Sequence, residues 1–435
     1  MNTEEEAAGA GSGPEPGGLW RSADFVKFWL GTNVSFLGTQ VASLAYPLTA
    51  VLVLHASTAE MGWLRATGTA ASFLVGPFAG VVADRVRRRP VLILTDLGLA
   101  LLSASIPAAY FLGALGMFQL YAVQFLAGAL FIFSEVAAMA YLPALVRRGQ
   151  LVRANSQLQA SGAAASIAGP GLAGLLVQAL GAPVSILFDS LSFLLSAACT
   201  ALIRAPEPAA EEAMADGSTT AAPRRRGVWA EIGEGLRFVY GHGLLRPLAE
   251  GIALHFLFAN VIYTLLVVYA VRELGLGPAA LGVVFAALGP GFLVGALLAP
   301  RAARRFGPGR VMTYAPLLTV AGLGLVPLAS GSQTRAAAML SAAHLLTACG
   351  IQLSGVNLVS LRQSVTPHRL QGRMTASFRY VNLLGACLGA LAAGALAERI
   401  GTRPTLALGV CGLLLPFLRL FFSPVRHLRE VPAAE

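Results

Sequence analysis

The chain has 435 residues, 56% of them hydrophobic and only 12% charged, with a formal net charge of +10 and a mean hydropathy of +0.69. Soluble domains carry about 25% charged residues, so this deficit, spread along the whole chain, excludes an ordinary soluble enzyme or binding module and indicates a polytopic membrane protein. The positive charge does not indicate nucleic acid, because the arginines fall between apolar runs and form no basic domain interleaved with exposed aromatics.

In chain order, residues 1–26 come first. Their text, MNTEEEAAGAGSGPEPGG and onward, is acidic and rich in Gly and Pro. It lacks the basic start and apolar core of a signal peptide and reads as a disordered cytoplasmic tail. Twelve apolar runs then follow, each near the length of about 20 residues that crosses a bilayer as a helix. They cover 27–54, 59–82, 90–112, 117–141, 157–178, 183–203, 248–271, 278–299, 310–330, 336–358, 376–397 and 403–422. The one long link, 204–247, carries PEPAAEEAMADGSTTAAPRRR. After it, Val228, Trp229, Ile232, Leu236 and Val239 recur at helical spacing, which predicts an amphipathic helix at the cytoplasmic surface. The expected layout is thus an all-α membrane protein: a six-helix bundle over 27–203, the linker, a second six-helix bundle over 248–422, and a cytoplasmic tail, 423–435.

Arginine placement tests that count. The links after spans 2, 4, 6, 8 and 10 hold Arg85 to Arg89, Arg147/Arg148/Arg153, Arg204 to Arg246, Arg301 to Arg310, and Arg362/Arg369/Arg373, whereas the opposite links hold only Arg272, Arg335, Arg399 and Arg403. By the positive-inside rule the rich set is cytoplasmic, and both termini lie inside. A wrong span count would scramble this alternation.

Span 1 carries Asn33, Ser35, Gln40, Ser43 and Tyr46 ahead of Pro47. Such polarity is wasteful against lipid and sensible against a water-filled pathway; Asn33, Gln40 and Tyr46, with Gln124 in span 4, are pathway-lining candidates. Ionisable groups inside spans are costly and are functional candidates by default. Asp189 lies six residues into span 6, about 9 Å deep at the helical rise. It reads either as a proton carrier or as a hydrogen-bonded acid that packs the helix. Arg65 in span 2 sits at a similar depth and is a candidate counter-ion for it. Glu135, near the end of span 4, either couples protons or simply reaches water. Asp96, early in span 3, is placed to join the charge cluster before it. His255 and His344 are lone histidines on apolar helices and read as core residues. Cys199, Cys349, Cys387 and Cys411 show neither CxxC nor Cys/His spacing, so no disulfide framework and no metal site is expected.

The stretch between spans 2 and 3 reads GVVADRVRRRP, residues 80–90. Gly80, Asp84, Arg85, Arg88 and Arg89, with Arg87 in place of a second Gly, resemble the G-x-x-x-D-R-x-G-R-R/K loop of the major facilitator superfamily. The arginines also serve as topology charges; an acid works against such a signal. The resemblance implies a gate in which Asp84 meets the positive start of span 11, flanked by Arg373 and Arg379, and favours the outward-open state. In the second half, Gly295 to Arg305 repeats the pattern with Ala299 where Asp84 aligns, so one latch is expected.

FSEVAAMAYLPALVRRGQLVRANS, GPGLAGLLV, LFDSLSFLLSA and HRLQGRMTASFRYVNLLGACLGALAAG resemble the subgroup that holds enterobactin-type siderophore exporters and macrolide efflux pumps. Gly169, Pro170 and Gly174 in span 5 resemble the end of the antiporter motif and read equally as a small-residue packing motif. The antiporter-type Arg of span 4 has no counterpart here; Gln124 occupies that region. The resemblance implies a secondary exporter of an amphipathic organic solute (a natural product, siderophore or drug) driven by proton antiport. The near-exclusive use of Arg, Lys27 being the sole Lys, reads as the bias of a GC-rich bacterial genome, which places the protein in a bacterial cytoplasmic membrane. No G-x-x-x-x-G-K-[ST] loop is present, so ATP is not an expected partner; neither are nucleic acid, a cofactor or enzymatic chemistry. A monomer in the lipid bilayer is the default expectation. An uptake permease or lipid flippase of the same fold is the alternative, followed by a non-transporting membrane receptor or scaffold.

Overall fold

A computed structural model of the chain describes residues 19–83, 86–205 and 228–430. The described residues are almost entirely helical. The first group comprises α1 (Ala23–Leu52), α2 (Thr58–Ala83), α3 (Arg88–Phe111), α4 (Met117–Leu145), α5 (Leu151–Leu180) and α6 (Ala182–Ala201). The linker helix α7 (Val228–Gly241) precedes α8 (Leu245–Arg272), α9 (Pro278–Phe306), α10 (Pro308–Leu328), α11 (Gln333–Ser364), α12 (Gln371–Ile400) and α13 (Thr402–Phe421). Among the described residues, eleven helices are long and apolar enough to cross a membrane. α2, which carries Glu60 and Arg65 in its first turns, matches these helices in length with 26 residues.

Local sequence explains the breaks. Ser22 caps α1, its Oγ accepting the Phe25 N–H at 3.3 Å, which satisfies one of the orphan donors of the first turn. α9, α10 and α13 are interrupted at Ala287, Ala315 and Leu413, each one to three residues ahead of a proline, Pro290, Pro316 or Pro416. Proline cannot donate to the preceding turn and crowds its carbonyl. Gly181 (φ 86°) and Gly401 (φ 88°) alone link α5 to α6 and α12 to α13, a left-handed conformation that favours glycine.

The same pairings recur in both groups: α1 packs on α5 as α8 packs on α12, and α2 on α4 as α9 on α11. Two six-helix bundles result, joined along α2 with α12 and α5 with α9. At the end opposite the arginine-rich links, one apolar core holds residues of both bundles, from Leu48 and Met61 to Leu265, Leu281 and Ala393. At the arginine-rich end the cores separate. One, around Phe25, Phe28 and Tyr141, belongs to the first bundle; the other, around Leu248, Met374 and Phe378, belongs to the second and includes Val239 of α7. The linker helix therefore packs on α12, and Gly235 allows its backbone to approach Arg373 and Ser377.

Candidate functional site

A cavity of about 490 Å³ lies between the bundles, within the range of small-molecule sites, roughly 300–1,000 Å³. Its wall includes Ser43, Pro47, Arg65, Gln124, Tyr263 and Phe285, drawn from α1, α2, α4, α8 and α9. A second cavity of about 360 Å³ shares Arg65 and Tyr263 and extends into the second bundle past His255, Asn260 and Arg362. A third, about 240 Å³, shares Ser43 and Gln124 and reaches into the first bundle to Tyr46, Ser103 and Asp189. Of the pathway candidates, Tyr46 and Gln124 thus line cavities. Asn33 instead donates its amide to the Trp29 carbonyl of its own helix at 2.7 Å, and Gln40 packs on Gly169 of α5.

The expected pairing of Arg65 with Asp189 is not made. Arg65 Nε donates to Asn260 Oδ1 of α8 at 2.9 Å, a bond between bundles. Asp189 is 3% exposed and faces the interior of its own bundle, where Oδ2 accepts the Ser103 hydroxyl at 2.7 Å. Tyr46 Oη stands 3.5 Å from the same hydroxyl. Oδ1 of Asp189 is buried and accepts no well-formed hydrogen bond; the neighbouring Thr39 hydroxyl donates to Ser35 O at 3.1 Å. Equal depth along two helices did not place the two side chains on facing sides. Asp96 likewise turns inward, buried against Ser196 of α6.

At the arginine-rich end, Glu135 Oε2 of α4 accepts from Arg379 Nη2 of α12 at 3.1 Å, an ion pair between bundles. Beside it, Phe73 and Tyr380 meet edge to face at 5.5 Å. Arg373 pairs with Glu234 of α7 at 2.9 Å, tying the linker helix to α12. Arg89 donates to the carbonyls of Thr200 and Ala201 at 3.3 and 2.7 Å, where a cation suits the negative C-terminal end of α6. Arg88 opens α3 and Gly80 lies within α2. Asp84 and Arg85 fall outside the described residues, so the expected latch does too.

The opposite end is sealed by backbone contact. A Cβ on Gly174 would stand 2.7 Å from Pro278 O and 2.8 Å from Gly282 Cα, and one on Gly62 would stand 2.7 Å from Ala390 O. Pro170 O lies against Gly282 in the same way. Gly169, Pro170 and Gly174 are thus in close contact with neighbouring helices, two of them across the bundle interface. Two polar bonds reinforce the seal: Arg272 donates to Ala56 O at 2.7 Å, and the Ala279 N–H to Gln178 Oε1 at 3.2 Å.

Sequence reasoning passed over Asn260, Tyr263 and Asn382, single polar residues within apolar spans, and took Arg362 for a topology charge. Their polarity inside spans was the available signal. His344 is fully buried, its Nδ1 2.8 Å from Leu340 O and its ring against Tyr263 and Phe285.

Comparison with known proteins agrees with this architecture. The chain is 27% identical over 393 residues to the uncharacterized MFS-type transporter YfiS of Bacillus subtilis (strain 168), covering 88% of each chain. It is 25% identical over 424 residues to the enterobactin exporter EntS of Escherichia coli (strain K12), covering 94% of each. Among solved structures, the nucleoside transporter NupG superposes with a TM-score of 0.73 at 11% identity, over 92% of this chain and 99% of that one. A bacterial homolog of the human lysosomal transporter Spinster, inward-facing and unoccupied, superposes with a TM-score of 0.69 at 14% identity, over 94% and 97%. The sequence profile of the Major Facilitator Superfamily matches residues 28–390, and with two six-helix bundles around a shared cavity, the chain belongs to that superfamily of multi-pass membrane transporters.

Proposed function

We propose that the protein is a secondary exporter that moves an amphipathic organic solute out of a bacterial cell by alternating access coupled to proton antiport. The observation that carries this reading is the cavity between the bundles, sealed at one end by glycine backbone contacts and spanned at the other by a partly exposed ion pair. With the arginine-rich end in the cytoplasm, as the positive-inside rule requires, both termini are internal, the seal faces outward and the cavity belongs to an inward-facing form. The bundles over 27–203 and 248–422 are the two moving bodies, and the linker travels with the second through Arg373 and Glu234.

Export, and a siderophore, natural product or drug as cargo, are supported by the full-length similarity to proteins named enterobactin exporters. Asp189 is the proton carrier in this scheme. It is a buried acid with one bonded and one unbonded oxygen at the end of a cavity that adjoins the central one. Arg379 and Glu135, with Asp84, act at the cytoplasmic gate.

The test uses purified protein in proteoliposomes with an imposed pH gradient and a panel of siderophores and amphipathic drugs. Solute-dependent dissipation of the gradient is expected. Solute movement with the gradient intact removes proton antiport; movement only into the cytoplasmic compartment, or of lipid alone, replaces export with uptake or flipping.

A further inference from the structure

Two cavities meet at Arg65, and the charge on their walls has one sign. The central cavity carries Arg65 as its only charged side chain among the described residues; the second adds Arg362, with His255 as a further ring donor or acceptor on its wall. Among the described residues, neither wall has an Asp or a Glu. A guanidinium has five N–H donors, and Arg65 places Nε on Asn260. Asn260 is itself fixed by its Nδ2 bond to Phe256 O at 2.8 Å, which turns its oxygen toward Arg65. The Nη1 and Nη2 groups of Arg65 make no hydrogen bond to a described residue, and the side chain lines both cavities. Arg362 is stacked over the Phe378 ring at 4.0 Å, with a thioether sulfur, Met374 Sδ, as the acceptor of its Nε. Asn382 on the same wall leaves its buried Oδ1 without a partner.

An arginine inside a bilayer is costly unless an anion or a set of acceptors compensates it. Among the described residues no carboxylate on either wall does so, and the charge these walls carry favours an anionic solute over a cationic one. Met61, Leu64, Val267, Phe285 and Leu288 give the same cavity an apolar face, beside the neutral polar side chains of Ser43, Thr69, Gln124 and Thr264. We propose that the transported solute is an amphipathic organic anion, and that Arg65 binds its carboxylate, phenolate, sulfonate or phosphate oxygens. Nη1 and Nη2 form a two-bond fork to the anion, Asn260 positions the guanidinium, and the apolar wall takes the body of the solute. Because Arg65 belongs to one bundle and Asn260 to the other, an anion on the fork engages the residue that bridges them.

This inference rests on the transport reading for its biological meaning, but its test is binding in detergent, which needs no transport. Two fluorescent probes share one skeleton and differ by a sulfonate: anilinonaphthalene sulfonate and neutral phenylnaphthylamine. Charge-assisted bonds of this kind are worth roughly ten- to a hundredfold in affinity. Arg65→Gln should weaken the sulfonate by that factor and leave phenylnaphthylamine within about twofold, with Arg65→Lys recovering part of the loss. Should Arg65→Gln fail to fold, Asn260→Asp supplies the missing counter-ion and should weaken the sulfonate in the same way. Equal weakening of both probes, unchanged sulfonate binding, or ethidium binding the wild type as tightly as the sulfonate overturns the proposal. Displacement by lysophosphatidylglycerol alone assigns the anion to a lipid headgroup, and by salicylate alone to a soluble aromatic acid; either supports it. Anion binding as expected with no flux in proteoliposomes leaves this inference standing and removes the transport reading.

Discussion

Glu135 and Arg379 stand 3.1 Å apart and connect α4 of one bundle to α12 of the other at the arginine-rich end. Both side chains are partly exposed, 33% and 53%. An ion pair so placed is worth about 0.2–1 kcal/mol, too little to hold the protein together but enough to shift a balance of conformers by about 1.4- to 5-fold. Glu135→Gln and Arg379→Gln should each raise the labelling rate of a cysteine placed in the central cavity from that end. The exchange Glu135→Arg with Arg379→Glu should restore it. A double variant no better than either single one would show that the pair does not hold the gate.

Gly174 is a contact point, whereas Gly171 on the same helix has open space where a Cβ would go. Gly174→Ala must push Pro278 and Gly282 outward and so opposes the sealed state, while Gly171→Ala is a matched control without that clash. Interbundle distances by spin labels at the sealed end should lengthen in Gly174→Ala and stay unchanged in Gly171→Ala. Identical distances in all three proteins would rule out the glycine seal as the determinant of closure.

Asp189 is held by Ser103 within the first bundle, at the end of a cavity that adjoins the central one. Asp189→Asn keeps the shape and removes the exchangeable charge. Solute-driven proton flux in proteoliposomes should vanish while binding of the solute to the purified protein persists. Undiminished proton flux would make Asp189 a packing residue of α6.

Asp84 carries the acid of the loop that follows α2. Asp84→Asn should lower transport several-fold while leaving membrane insertion and purified yield as in the wild type. Wild-type transport by this variant would remove the latch from the scheme.

The architecture was legible in the sequence because hydropathy and arginine placement are properties of whole segments. The existence of α1 and α12, the linker helix from Val228 onward and the repeat between halves follow from text that repeats or alternates, whereas their ends shift by up to five residues: α1 runs Ala23–Leu52 against an expected 27–54, and α12 Gln371–Ile400 against 376–397. The pairings were not legible, because depth along a helix says nothing of azimuth. Arg65 and Asp189 were matched by depth, yet one reaches Asn260 in the other bundle and the other turns to Ser103 in its own. Glu135 was read as a proton-coupling acid or one that reaches water, and its partner lies 244 residues away. Asn260 and Asn382 were overlooked because a single amide in an apolar run has no periodic signature, and Arg362 because its position in the link after span 10 suited a topology signal equally well.

The two bundles are bridged by different physics at the two ends of the molecule. The glycine contacts of α5 with α9 and of α2 with α12 are short-range and mostly apolar, and their strength does not depend on dissolved ions. The Glu135–Arg379 pair is partly wet and is weakened by salt over a screening distance of about 8 Å at physiological ionic strength. The electrolyte on one side of the membrane can therefore bias the resting conformation, while the electrolyte on the other side has no comparable handle. In reconstituted vesicles of fixed orientation, raising salt inside and raising salt outside are thus different experiments on the same protein.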